Sequence, residues 1–120
     1  MKEGTPMADA VYVNFEEGLK RVMNNTKLYV RLLAKFKADT KLDELSAQLE
    51  AGDYEKAQIT AHTVKGVAAN LSLTELFERI RDLESQIKEK AVQPEALATV
   101  KTVFDETLKK LDEVVAQYGS

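Results

Sequence analysis

The residues of this chain that could do chemistry lie in one segment, Ala61-His62-Thr63-Val64-Lys65-Gly66, which contains its only histidine. An uncharged imidazole is a nucleophile at cellular pH, because the reference pKa of that side chain is about 6.5. Lys65 follows about one helical turn after His62, and its ammonium could neutralise the oxygens of a phosphoryl group on the imidazole. Glycine inside a helix costs about 0.5–1 kcal/mol relative to alanine, so Gly66 is expected to keep the space beside the imidazole clear.

This segment belongs to a predicted amphipathic helix that begins after Asp53 and runs to about Leu71. The helical period places its apolar side chains on one stripe, which must face the core: Tyr54, Ala57, Ala61, Val64, Ala68 and Leu71. His62 points about 130° away from the centre of that stripe. The outward face around His62 is the predicted surface for access and docking of a partner. We expect Ile59, Gly66 and Ala69 at its centre, with Glu55, Gln58 and Lys65 at its rim.

The composition argues against several other classes of protein. The chain has no cysteine and one histidine, so we predict no metal site and no bound cofactor. Its net charge is −3, with acidic and basic residues interspersed, which argues against nucleic acid as a partner. There is no apolar run of about 18 residues and no signal-peptide pattern, so we predict a cytoplasmic protein without membrane insertion.

Helix-period apolar spacing recurs along the chain, and no segment alternates as a strand would. We therefore predict an all-α domain over residues 11–118, after an N-terminal tail of residues 1–10. The expected fold is an antiparallel four-helix bundle with one or two additional short helices. The second, fourth, fifth and sixth predicted helices should form the bundle. The first, marked by Phe15, Leu19 and Val22, should pack across one end.

Local signals predict where these helices begin and end. Asn25, Thr40 and Asp53 are expected to cap the second, third and fourth helices, and Gly52 to end the third. Ser72-Leu73-Thr74-Glu75 has the pattern of a capping box for the fifth helix, and Pro94 is expected to be the first residue of the sixth.

The segment from Ala61 to Leu71 closely resembles the signature of histidine-containing phosphotransfer (HPt) domains of multistep phosphorelays. Those domains read A-H-x-L-K-G, followed by small residues and an Asn-Leu or Asn-Ile pair. The resemblance extends over about residues 11–116, including Leu32-Leu33-Ala34-Lys35-Phe36 and Leu83-Glu84. Many members have glycine where this chain has Ser72. Some members carry glutamine at the position of Glu84. In those members the glutamine helps to orient the histidine or the phosphate. Because a glutamate facing the site would repel phosphate, we assign no role to Glu84.

The resemblance implies a phosphocarrier without kinase activity of its own. His62 would accept a phosphoryl group from the aspartyl phosphate of a receiver domain, in a response regulator or hybrid histidine kinase, and pass it to another. Lys65 would stabilise the phosphate, the receiver would supply Mg²⁺, and the carrier is expected to be monomeric. Two alternatives stay open: a helical-bundle adaptor that is not phosphorylated, and the phosphoacceptor domain of a chemotaxis-type histidine kinase.

Overall fold

The computed structural model describes residues 11–39 and 41–118, and this part of the chain forms six α-helices. They are α1 (Phe15–Arg21), α2 (Thr26–Lys37), α3 (Lys41–Glu50), α4 (Tyr54–Asn70), α5 (Thr74–Lys88) and α6 (Pro94–Tyr118). The predicted all-α class is confirmed. The tail predicted for residues 1–10 and the cap predicted at Thr40 lie outside the described residues. None of the helices in these two ranges is long and apolar enough to cross a membrane.

The bundle is built by the packing of α4 on α5, α5 on α6 and α2 on α6. The short turn between α4 and α5 makes these helices antiparallel, as does the turn between α5 and α6. The Phe15 ring lies 5.7 Å from the ring of Tyr29 in the first turn of α2 and 4.4 Å from that of Tyr118 at the end of α6. Because α2 begins where α6 ends, these two are antiparallel as well. As predicted, α1 closes this end of the bundle.

The short helix α3, which the sequence does not predict as a member of the bundle, contributes to the common core. It packs against α4, and Leu42 and Leu45 are buried in the common core. That core is apolar along the inner faces of the helices, and its fully buried large side chains include Tyr29, Leu33, Leu45, Leu73, Leu76, Ile80, Leu83 and Leu111. On α4 the buried side chains include Ala57, Ala61, Val64 and Ala68, and their packing into this core leaves the opposite face of α4 exposed.

Most of the predicted helix ends are confirmed. The side chain of Asn25 accepts a hydrogen bond from the backbone N–H of Leu28 at 3.0 Å, and that of Asp53 from Lys56 at 3.2 Å. Gly52 has φ +74°, a conformation that glycine adopts without steric cost. The helix α6 begins at Pro94.

The predicted capping box at Ser72 is wrong. The residue that caps α5 is Leu73, which has no side-chain capping bond, whereas Ser72 has φ +57°. The backbone N–H of Ser72 donates to the carbonyl of Ala69, and that of Leu73 to the carbonyl of Ala68. This pair of bonds is a Schellman motif, so Ser72 ends α4 in the left-handed position that glycine favours. Its hydroxyl donates to Oε1 of Glu17 in α1 at 2.7 Å instead of capping α5.

Candidate functional site

His62 lies in the middle of α4, with 72% of its side chain exposed. Its neighbours on the helix, Ala61 and Val64, are buried in the core and fix the orientation of this face. The exposed position agrees with the helical wheel, which places the imidazole opposite the apolar stripe. A solvent-facing ring on a rigid helix can reach a group that another molecule presents.

The buried residue that contacts His62 is Glu84 on α5. The Oε2 atom of Glu84 lies 3.1 Å from Nδ1 of His62, and its Oε1 atom lies 2.6 Å from Nζ of Lys65. Glu84 is only 4% exposed. Burial raises the pKa of this carboxyl, but hydrogen bonds and charge from Lys65 and then His62 outweigh that effect and hold the pKa below its ordinary value.

This contact determines which nitrogen of the imidazole can react. An ionised carboxylate has no proton to give, so it can only accept the hydrogen bond from Nδ1. A neutral imidazole with its proton on Nδ1 carries its free lone pair on Nε2. The arrangement therefore leaves Nε2 of His62 as the nucleophilic atom of an exposed ring.

Lys65 lies on the α5 side of His62 and is mostly covered, with 24% of its side chain exposed. Its ammonium and the imidazole share one carboxylate, that of Glu84, so the three side chains form a single charged cluster across α4 and α5. The sequence places Lys65 beside the imidazole, and the structure adds the buried anion that holds it there.

The other predicted site residues lie on the same outward face of α4. Ile59 is 65% exposed, Glu55 is exposed, and Gln58 and Ala69 are half-buried. Among the described residues, a Cβ atom built at Gly66 would have no neighbouring atom within 4 Å apart from the adjacent residues and the backbone of its own helix. Gly66 is therefore not required for packing between the described helices, and none of them fills the space above it.

Sequence reasoning assigned no role to Glu84, although a signal for it exists. Glu84 follows Ile80 by four residues and precedes Ile87 by three, so it lies on the apolar stripe of α5. A carboxylate at such a position is costly to bury unless other groups pair with it. The groups that pair with Glu84 are Lys65 and His62 on the facing helix, α4.

The described residues contain no group of three or more His, Cys, Asp or Glu side chains that could hold a metal ion. In the comparison with protein families, the model described as Hpt domain matches residues 31–117, more than half of the chain, including His62, Lys65 and Glu84. The searches of curated proteins and of solved structures found no match to the chain.

Proposed function

This chain belongs to the Hpt domain family, and we propose that it carries a phosphoryl group between receiver domains, with His62 as the phosphoacceptor. Histidine phosphotransfer in phosphorelays is the general function of this family. The observation that supports the assignment is the exposed ring of His62, whose Nδ1 is held by buried Glu84 and whose Nε2 has no hydrogen bond to any of the described residues.

The transfer is a displacement at phosphorus. The Nε2 lone pair of His62 attacks the phosphorus of a receiver's aspartyl phosphate. The N–P bond forms as the P–O bond breaks, and the electron pair of that bond leaves on the carboxylate of the receiver. The same steps in reverse load a second receiver. The Mg²⁺ and most of the stabilisation of the transition state come from the receiver, so the carrier needs no cofactor of its own.

We propose that the receiver docks on the outward face of α4. Exposed Ile59, the open position at Gly66 and the half-buried Ala69 form the centre of this surface. Glu55, Gln58 and Lys65 lie at its rim, where the ammonium of Lys65 neutralises phosphoryl oxygens. A partner that must leave after each transfer requires a small interface, near the low end of about 1,200 Å² in total.

The proposal has further features. The carrier has no kinase activity of its own, since the receiver's aspartyl phosphate supplies the phosphoryl group. It acts as a cytoplasmic monomer, and its partners are receivers of response regulators or hybrid histidine kinases, with no role for nucleic acid.

The direct test is to incubate the chain with a panel of receivers that have been phosphorylated by acetyl phosphate in the presence of Mg²⁺. The label should be acid-labile and base-stable, and peptide mapping should place it on His62. His62→Gln should accept no label. Its stability should change by only about ±0.5 kcal/mol, because the position is exposed and the glutamine amide can still donate a hydrogen bond to buried Glu84.

Three other results would contradict the proposal. Label retained in His62→Gln would exclude His62 as the acceptor. Receivers that bind without transferring label would indicate an adaptor. Label that arrives only from a histidine kinase with ATP, and from no receiver, would indicate the phosphoacceptor domain of a kinase.

A further inference from the structure

The charge of this chain is unevenly distributed, although its net charge is only −3. Acidic and basic residues are interspersed over most of the sequence. Residues 18–38, however, contain six of the 17 lysines and arginines and none of the 20 aspartates and glutamates. This segment covers the end of α1, the turn after it and α2. The six basic residues are Lys20, Arg21, Lys27, Arg31, Lys35 and Lys37.

Three of these residues form a basic stripe along the exposed face of α2. Lys27, Arg31 and Lys35 follow one another at intervals of four residues, so their side chains lie on one face of the helix over about 12 Å. All three are exposed, and their face is nearly opposite to the one that carries buried Tyr29 and Leu33. The stripe therefore points straight out from the bundle into solvent.

This arrangement works against the stability of α2 itself. Like charges four residues apart on a helix repel each other, and a cation in the first turn is unfavourable beside the N-terminal end of the helix dipole. Lys27 is in the first turn of α2, which contains no acidic residue. Two of the six basic side chains, Arg21 and Lys37, are paired with acidic residues, while the other four make no ion pair with a described residue. Charges that repel each other and do not serve the helix indicate a partner of opposite charge.

The turn before α2 adds an exposed apolar side chain. Met23 is 90% exposed and has φ +56°. Its backbone N–H donates to the carbonyl of Lys20, and that of Asn24 donates to the carbonyl of Leu19. This pair of bonds is a Schellman motif with Met23 in the left-handed position, which glycine occupies without steric cost. A methionine that is exposed and conformationally disfavoured contributes little to this fold, and its side chain is available to a partner.

We propose that the exposed face of α2 and the turn before it bind the surface of an anionic phospholipid membrane, with the basic stripe on the headgroups and Met23 inserted between them. Clusters of about four to eight lysines and arginines on an amphipathic helix bind anionic lipid. Their long, flexible side chains adapt to mobile headgroups. An acidic protein would also satisfy the charges, but exposed Met23 favours a partner with an apolar layer below its charged surface. The association is reversible adsorption to the surface.

His62 stays accessible in this orientation. Its ring leans toward α5, where it contacts Glu84. Val67, on the other side of α4, lines a groove that it shares with Leu32 of α2. The body of α4 therefore lies between the imidazole and the basic stripe. A membrane that covers the stripe leaves His62 open to a receiver.

The test is co-sedimentation of the full chain with two kinds of vesicle, one of phosphatidylcholine alone and one of equal amounts of phosphatidylcholine and phosphatidylglycerol. At low ionic strength the parent should bind the mixed vesicles far more tightly than the neutral ones, and salt should release it. The double variant Lys27→Gln with Lys35→Gln should bind the mixed vesicles about 30-fold more weakly, because each basic residue near an anionic surface contributes about fivefold. This variant relieves repulsion within α2, so its fold should be retained.

Met23→Gly should also weaken binding to the mixed vesicles, by about tenfold, because it removes the inserted apolar side chain. Glycine suits the left-handed position, so the thermal midpoint should not fall. Lys88→Gln with Lys90→Gln is the matched control for the charge change. It removes the same charge at exposed positions at the end of α5, which packs on α4 and α6, and it should bind as the parent does.

Equal binding of the parent to both kinds of vesicle, or an equal loss of binding in the two double variants, would overturn the proposal. No binding to the mixed vesicles would overturn it as well, and slower transfer from a receiver in Lys27→Gln with Lys35→Gln would then assign the stripe to an acidic protein. Phosphoramidate, a small chemical phosphoryl donor, should label His62 equally with and without mixed vesicles, and protection of His62 would contradict the orientation. Vesicle binding requires no phosphoryl transfer, so its outcome is independent of the proposed carrier function.

Discussion

The Nδ1 atom of His62 lies 3.1 Å from the Oε2 atom of Glu84, which follows it by 22 positions on the neighbouring helix. One member of this pair is exposed and the other is buried, so the ring is oriented from inside the bundle while its second nitrogen stays accessible. A side chain that must react with another protein needs this combination. A freely rotating surface histidine would present Nε2 to a partner for only part of the time.

Lys65→Ala should slow phosphotransfer without abolishing it, because Lys65 is proposed to neutralise phosphoryl oxygens and is not the nucleophile. The variant also leaves a buried carboxylate with one partner fewer, which should cost about 1–3 kcal/mol of stability. Transfer rates should therefore be measured by rapid quench at a temperature where the variant is folded. Lys56→Ala removes an exposed lysine of the same helix and should transfer at the parental rate. Unchanged rates in Lys65→Ala would remove Lys65 from the site.

The stability of the fold should depend on Glu84 in acid. Burial alone raises the pKa of Glu84, but Lys65 and His62 lower it below 4.5 in the folded chain. Ionised Glu84 therefore stabilises the folded state at pH values above 4.5. This contribution is lost as the pH falls through the pKa that Glu84 has in the folded chain. In urea unfolding across acidic pH, Glu84→Gln should lose stability less steeply than the parent. If the free energy of unfolding fell equally steeply with decreasing pH in both proteins, the ionisation of Glu84 would not be linked to folding.

The sequence predicted the features that depend on neighbours along the chain. The caps at Asn25 and Asp53, the glycine turn at Gly52 and the start of α6 at Pro94 each depend on local backbone bonding, and all are present. The exposure of His62 followed from helical periodicity in the same way.

The features that the sequence did not predict depend on the facing element. Glu84 acquires its role from Lys65 and His62 on α4, and no pattern within α5 shows which groups those are. Ser72 was assigned to the wrong helix because its spacing fits a capping box. The two-residue separation between α4 and the cap of α5 instead requires a left-handed residue at that point.

Two substitutions of Ser72 should separate its backbone conformation from its side-chain bond. Ser72→Ala keeps the Cβ atom at φ +57° and loses the hydrogen bond to Glu17, so it should be clearly destabilised. Ser72→Gly loses the same bond but removes the steric cost of the left-handed conformation, which is about 1 kcal/mol. Urea unfolding should therefore find Ser72→Gly more stable than Ser72→Ala by about that amount. The reverse order would mean that the turn does not strain the serine.

The helical glycines Gly18 and Gly66 should respond in opposite ways to substitution. A Cβ atom at Gly18 would overlap the ring of Tyr29, so this glycine is needed for the contact between α1 and α2. Gly18→Ala should therefore lower the thermal midpoint. This variant serves as the reference for a glycine whose role is packing.

Gly66→Gln should keep or raise the thermal midpoint and greatly slow transfer from a phosphorylated receiver. In the part of the chain that the structure describes, only the adjacent residues and the backbone of its own helix lie within 4 Å of a Cβ atom at Gly66. Glutamine also favours a helix over glycine by about 0.5–1 kcal/mol. The loss of transfer should come from the longer side chain, which would occupy the space through which the receiver approaches His62. Chemical labelling of His62 by phosphoramidate should be nearly unaffected, because that small donor needs little room. Normal transfer from receivers would mean that the glycine does not provide access, and a lowered midpoint would mean that it serves packing as Gly18 does.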